Sequence, residues 1–363
     1  MKNELPPSVT WRLKNLTKTM NPAQLKARTR DLWRECFGDT EAYMDLFFDE
    51  KYRAEHNIHL CREGRVVSAA QVLPYRTTLF GSVCRSSYLC GLGTAKAYRG
   101  KGLATQILHE AHRHEFNTDS VLSILIPADD GMRRFYERPE HGAYETLTFR
   151  YDTDLKPEGE ADPTLWVGEP EDWGRDLFVF YHRQSSQTPF MLHPSETDFF
   201  AALNDIDLAG GHIVVARARD KIQGLCLTEA VRDGEVRVRS LVAISTKVKN
   251  ALLQYLLAAC GAQSIRARMT VPGTYGGRTP YAMGRVIHVE KFLRMVLRAN
   301  PNLRLHIGVD GDLHVPENNG YYVLERGQVR ITDERPPRMV TPGGLAAMFL
   351  ASQPFLLDLM MDE

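Results

Sequence analysis

The chain has 363 residues, 43% of them hydrophobic and 25% charged, with 45 Lys and Arg against 45 Asp and Glu. That length suits two or three globular domains, and the even charge removes the bulk basic field that nucleic-acid binding uses, so no nucleic-acid partner is expected. No apolar run reaches the length of a membrane span, and the polar start Met1–Glu4 does not read as a signal peptide, which excludes a membrane partner from the expectations. Six scattered cysteines without a C-x-x-C pair read as reduced thiols of a cytoplasmic protein.

In chain order, Val9–Leu16 reads as a first strand. Ala23–Cys36 and Thr40–Tyr52 follow as helices, the first with Asn21 as cap and Pro22 at its opening position. Ile58–Arg62, Arg65–Thr78 and Ser82–Thr94 read as strands joined by short turns. Leu103–His114 is an amphipathic helix. Val121–Ile126 is a short, nearly all-apolar strand of the kind buried on both faces. Gly131–Arg138 reads as a short helix, with Asp129 and Asp130 better explained as its cap than as magnesium ligands. Tyr144–Tyr151 reads as a closing strand.

A proline- and acid-rich stretch, Leu155–Glu171, reads as a linker, and beyond it the pattern partly repeats. Arg175–Arg183 and Ser195–Asn204 read as helices. His212–Arg217 and Lys221–Leu227 echo Ile58–Arg62 and Val66–Val72, Glu235–Ile244 stands where Ser86–Thr94 stood, Asn250–Cys260 follows as a helix, and Ser264–Met269 as a buried strand. The last part differs. Val286–Arg298 is strongly amphipathic, Asn302–Val309, Gly320–Leu324 and Gln328–Thr332 alternate like strands, Gly343–Ala351 returns to helix, and an apolar run, Pro354–Met361, closes the chain.

The most informative stretch is Arg99-Gly100-Lys101-Gly102-Leu103-Ala104, at a strand-to-helix junction. Two glycines leave the backbone bare there, so its N–H groups can close on an anion that also faces the positive end of the following helix. A Walker loop fails because Ala95 stands at its first glycine. A dinucleotide fingerprint fails because Lys96 occupies its third glycine position. The pattern Arg/Gln-x-x-Gly-x-Gly/Ala fits at Arg99, Gly102 and Ala104. The corresponding turn in the second half, Ser245–Asn250, has no glycine, and its side chains are expected to crowd out a pyrophosphate.

That pattern, with Thr94–Arg99 before it and Phe135-Tyr136 after it, resembles the coenzyme A signature of the GNAT N-acetyltransferases. The order of elements from about residue 8 to 152 is similar to that family's. The whole layout resembles the enhanced intracellular survival (Eis)-like acetyltransferases. This resemblance implies a mixed α+β chain of two tandem GNAT folds followed by a sterol carrier protein-like α+β domain. The divisions are 1–152 (catalytic), 153–272 (degenerate) and 273–363 (sterol carrier-like).

It further implies acetyl-coenzyme A as co-substrate, a small-molecule or lysine amine as acceptor, no metal, and a homo-oligomer. Backbone groups of Leu92, Gly93 and Thr94 would face the pantetheine arm, and those of Arg99, Gly100, Lys101, Gly102, Leu103 and Ala104 the pyrophosphate. The Arg99 and Lys101 side chains read equally well as solvated turn residues. Tyr136 is the implied general acid, against the plainer reading of a tyrosine packed beside Phe135. The usual Lys-x-Gly-Phe after that tyrosine is replaced by Pro139–Tyr144. The terminal carboxylate of Glu363 is the implied base, against a frayed terminus. His109, His112 and His114 read as a solvated helix face rather than a metal site. The rival from another class is a non-catalytic protein that binds an apolar ligand and keeps a vestigial GNAT unit.

Overall fold

The computed structural model describes residues 20–271, 273, 276–357 and 361, so the strand expected over Val9–Leu16 lies outside the described residues. Helix α1 (Pro22–Phe37) begins as its sequence dictates: Asn21 and Gln24 form a reciprocal capping box, and Gly38 in a left-handed conformation ends the helix. Helix α2 (Glu41–Leu46), capped by Thr40, is shorter than expected and runs into a π-turn at Phe47–Lys51.

The strands β1 (Asn57–Arg62), β2 (Arg65–Leu79) and β3 (Ser82–Thr94) form an antiparallel meander. Helix α3 (Leu103–Asn117) crosses over to β4 (Leu122–Leu125), which lies parallel to β3. Helix α4 (Asp130–Tyr136) is capped by Asp129, whose side chain accepts from the Met132 amide at 2.7 Å.

The expected single closing strand is two strands in two sheets. β5 (Glu145–Thr146) stays with the first sheet, while β6 (Phe149–Leu155) leaves it to pair with a strand some 110 residues onward. The break falls at Leu147 and Thr148, whose amides both bond to the Ala282 carbonyl. A local reading of apolar residues cannot detect a break imposed by so distant a partner.

The second unit comprises β7 (Trp166–Gly168), α5 (Arg175–Ser185), β8 (Met191–His193), α6 (Glu196–Leu208), β9 (Ile213–Ala218), β10 (Lys221–Thr228), β11 (Glu235–Ala243), α7 (Thr246–Ala258) and β12 (Ser264–Val271). Strands β9, β10 and β11 form an antiparallel meander, α7 crosses over, and β12 is parallel to β11. This is the arrangement of β1 to β4 around α3. The sequence repeat is thus a structural repeat.

The rest comprises β13 (Thr279–Pro280), β14 (Met283–Val286), α8 (Val289–Ala299), β15 (Leu305–Val309), β16 (Gly320–Glu325), β17 (Gln328–Thr332), β18 (Met339–Val340) and α9 (Pro342–Leu350). Strand β14 inserts between β4 and β5, so residues from beyond the second unit complete the first sheet, whose order is β1-β2-β3-β4-β14-β5 with β8 on β2. The second sheet runs β13-β6-β12-β11-β10-β9-β7, and the third β17-β16-β15-β18. Among the described residues no helix is long and apolar enough to cross a membrane.

The cores follow from this exchange. Leu73, Leu79 and Tyr88 of the first sheet share one buried cluster with Phe292 and Leu293 of α8, Leu324 and Leu345. The amphipathic α8 buries Val289, Phe292, Leu293 and Val296 on one face. Each such side chain, fully buried, stabilises the fold by about 1.5–3 kcal/mol. A separate cluster under α3 holds Ala70, Val72, Leu89, Ile107, Leu108 and Tyr136.

Between the first two units, the Lys51 ammonium bonds to the Tyr75 hydroxyl at 2.9 Å and pairs with Asp198 of α6. Burial works against the charged Lys51, yet Tyr75 and Asp198 outweigh it and hold its pKa above the ordinary value.

Candidate active site

Strands β3 and β4 pair only from Ser86/Leu122 to Tyr88/Ile124. Beyond Tyr88 the two diverge. The cause is a bulge: the β2–β3 register passes from Ala69/Gly93 to Gln71/Cys90, so Gly91 and Leu92 oppose Ala70 alone. Gly91 has φ +62°, and a Cβ there would run into the Trp33 ring of α1. Glycine is therefore required twice over at this bulge, once by conformation and once by the close approach of the helix.

The freed side of β3 opens a groove of about 800 Å³ lined by Leu92, Gly93, Thr94, Arg99, Gly100, Gly102, Leu103 and Ala104, with Tyr136 on its wall. The structure thus brings together most of the residues that the sequence singled out. Lys101 is not in the lining: its ammonium folds back onto the Ala97 carbonyl at 3.0 Å and over the Tyr98 ring. The Arg99 Nε–H donates to the Thr94 carbonyl at 3.0 Å, which makes this side chain a brace of the turn.

Gly100 (φ +71°) and Gly102 (φ +74°) are both left-handed, and a Cβ on either would meet no atom within 4 Å. Gly102 is the N-cap of α3 and supplies no side-chain acceptor, so the first amides of that 15-residue helix face the groove uncapped. Bare donors at a positive helix end, beside open space, are suited to a pyrophosphate. The repeat copy differs in the relevant way. There Ser245 caps α7, its hydroxyl accepting from the Val248 amide at 3.3 Å. Ser245, Thr246 and Lys249 line a cavity of about 760 Å³ beside that turn, with side chains where the first unit has bare backbone.

Tyr136 is 5% exposed and packs edge-on against Phe135 and Tyr144. Burial, reinforced by the nearby Cys90, pushes its phenol above the ordinary value, so it carries its proton at neutral pH. The loop after it, the departure noted in the sequence, folds back on it. The Tyr144 amide donates to the Tyr136 carbonyl at 2.9 Å, and the His141 ring stacks on Phe135 while its Nδ1–H donates to the Phe135 carbonyl. Burial pushes the Cys90 thiol, also in the lining, up to about 12. Glu363 lies outside the described residues.

The expected solvated face at His109, His112 and His114 needs correcting for His112, which is fully buried. Its Nε2 meets the Tyr144 hydroxyl at 2.8 Å and its Nδ1 meets Nδ1 of His314 at 2.6 Å. The covering residue lies 202 positions away, beyond the reach of helical periodicity. Burial, followed by the nearby Arg285, lowers both imidazoles, His314 to about 3, so the pair is uncharged.

The network continues from Tyr144 through the Ser123 hydroxyl to the Glu115 carboxyl, whose other oxygen is buried without a partner. Burial pushes Glu115 up from 4.5 to about 8. An acid that holds its proton more tightly when folded makes the fold lose stability as pH rises from about 4.5 through about 8. Glu115→Gln is expected to remove this fall. Denaturation midpoints of variant and parent should converge below pH 4.5, with the variant higher by several degrees at pH 8.5; parallel curves would contradict the assignment.

Sequence reasoning missed Cys36, Phe37, Cys90, Ile126 and Met132 of the groove lining, and Trp33 behind Gly91. Their only sequence signal was apolar periodicity, which reports burial and not which cavity is lined.

Residues 21–142 match the family model for the acetyltransferase (GNAT) domain. No match was found among curated protein sequences. Solved structures with a similar fold include a probable N-acyltransferase from Enterococcus faecalis (15% identity, 92% of this chain and 89% of that chain, TM-score 0.72). Eis1 from Mycobacterium abscessus is similar at 14% identity over 91% of this chain and 88% of that one, with TM-score 0.70. A GCN5-related N-acetyltransferase from Anabaena variabilis gives 18%, 90%, 87% and 0.67. The chain thus carries a GNAT acetyltransferase domain within a mixed α/β tandem architecture, and it is an enzyme of the acyltransferase class.

Proposed function

We propose that this GNAT N-acetyltransferase moves the acetyl group of acetyl-coenzyme A to a primary amine by direct attack in a ternary complex. The acceptor is an aminoglycoside-like polyamine, a small amine or a lysine side chain. The observation that carries the reading is the uncapped start of α3 behind two left-handed glycines, opening onto a groove walled by Tyr136. Backbone amides of Gly100 to Ala104 hold the pyrophosphate, and the freed edge of β3 takes the pantetheine arm as an added strand. The amine nitrogen bonds to the thioester carbon, the C–S bond breaks, and the Tyr136 hydroxyl gives its proton to the leaving thiolate.

The proton lost by the amine goes to the terminal carboxylate of Glu363. What supports this is the course of the tail: the Leu356 amide and carbonyl pair with Phe190 and Leu192, and the buried Met361 carbonyl accepts from the Tyr43 hydroxyl of α2. Tyr43 stacks on Phe47, Phe47 packs at a tilt against Trp33, and Trp33 against Phe37 of the groove lining. Appending a few residues after Glu363 should cut turnover at least about 100-fold. Acetyl-coenzyme A binding should survive, and unchanged turnover would remove the carboxylate from the mechanism.

We also read residues 273–363, with the four-stranded sheet and α8 packed on β17, as the sterol carrier protein-like unit. The test of the reading is coenzyme A release from acetyl-coenzyme A in the presence of a panel of primary amines, with product mass as the second readout. Amine-dependent release supports it. Stabilisation by fatty acid with no amine-dependent release would favour apolar-ligand binding instead.

A further inference from the structure

Away from the groove, at the far end of the second unit, three potential metal ligands converge from three separate segments. Glu169 follows β7, His212 precedes β9, and Cys260 follows α7. Strands β7 and β9 are paired neighbours at the sheet edge, and the C-terminal end of α7 packs down beside them. One ligand atom from each residue lies within 4.8 Å of the others. The His212 Nδ1 is 3.2 Å from either oxygen of Glu169, and the Cys260 sulfur is 3.7 Å from Oε1 of Glu169.

The two spacings to Glu169 are hydrogen-bond distances that also suit ligands around a single ion, and the His212 and Cys260 ligand atoms lie within 4.8 Å of each other. Zinc bonds of roughly 2.0–2.2 Å to nitrogen or oxygen and about 2.3 Å to sulfur place tetrahedral ligands about 3.3 Å (N to O) and about 3.6 Å (S to O) apart. We propose that Glu169, His212 and Cys260 bind one thiophilic divalent cation of the zinc type, with water in the fourth position, as a staple between α7 and the β7–β9 edge. Thiolate and imidazole select such an ion over magnesium or calcium, which prefer oxygen alone.

The alternative chemistry for such a trio, a cysteine nucleophile, fits poorly. The thiol faces the carboxylate rather than the imidazole. A carboxylate beside the sulfur disfavours the thiolate that a nucleophile needs. A cation reverses that conflict. As the sulfur–metal bond forms, the thiol proton leaves to solvent, and the His212 proton moves from Nδ1 to Nε2 so that the Nδ1 lone pair can coordinate. The His212 backbone is already fixed, its amide donating to the Thr228 hydroxyl at 3.2 Å.

The test uses the full chain stripped with a chelator and titrated with Co²⁺ and Zn²⁺. The expected result is a thiolate-to-cobalt charge-transfer band that saturates near one equivalent, is displaced by Zn²⁺ but not by Mg²⁺, and is accompanied by release of about one proton. Cys260→Ser should abolish the band, and His212→Gln should weaken Zn²⁺ binding at least about tenfold. Neither substitution touches the groove, so acetyl transfer should stay at the parent rate. A band that persists in Cys260→Ser belongs to another of the six cysteines and would overturn the assignment, as would the absence of any band in the parent chain.

Discussion

Replacing Tyr136 with phenylalanine is expected to lower turnover by at least about 100-fold while changing the affinity for acetyl-coenzyme A by less than about twofold. The asymmetry follows from where the hydroxyl sits. On the side away from the groove the ring packs edge-on against Phe135 and Tyr144 with the α3 core behind it, and the Tyr144 amide fixes the residue's own backbone carbonyl. Phenylalanine keeps those contacts, so the groove keeps its shape. What goes is the proton that burial keeps on the phenol at neutral pH. Without it the thiolate must leave unprotonated, or take its proton from water. Steady-state kinetics beside calorimetric binding separate the two effects. Equal losses in both would show that Tyr136 acts by packing alone.

Replacing Asp312 with alanine should destabilise the fold by about 3–5 kcal/mol, the usual cost of removing one partner from a buried ion pair. Asp312 and Arg285 lie 2.6 Å apart with side chains 0% and 1% exposed. The carboxylate also accepts from the His314 and Val315 amides and from the Asn318 side chain. Asn318 in turn caps α8 through the Val289 amide, and Arg285 donates to the Gly142 carbonyl in the loop behind Tyr136. One deletion therefore strands a buried guanidinium and several donors at once. Asp312→Asn, which keeps most of the hydrogen bonds, should fall between variant and parent. Urea denaturation followed by fluorescence reads the difference, and an unchanged midpoint in Asp312→Ala would contradict it.

What the sequence revealed and what it hid divide along physical lines. The capping box at Asn21, the Asp129 cap, the three-strand meander, the glycine turn and the repeat are all local, set by residues within a turn or a strand pair. The exchange of β6 and β14 between sheets was hidden, because Tyr144–Tyr151 read as one closing strand, Met283–Val286 carried no strand signal, and nothing in their residues names a partner. The burial of His112 was hidden for the same reason: its cover, His314, comes from the last part of the chain. At the site, the two glycines and Tyr136 carried a pattern, whereas Trp33 on Gly91, the contact that shapes the groove, is a tertiary approach without one.

The proposed function places a single coenzyme A site at the Gly100–Gly102 turn, in a chain that repeats the fold. Calorimetric titration with acetyl-coenzyme A tests it most directly. The expected result is one equivalent bound per chain, and at least tenfold weaker binding in Gly102→Val, since a side chain at φ +74° is strained by about 1–2 kcal/mol and its Cβ reaches into the space beside the bare amides. Two equivalents per chain, or one that Gly102→Val leaves untouched while a change at Ser245 removes it, would contradict the account.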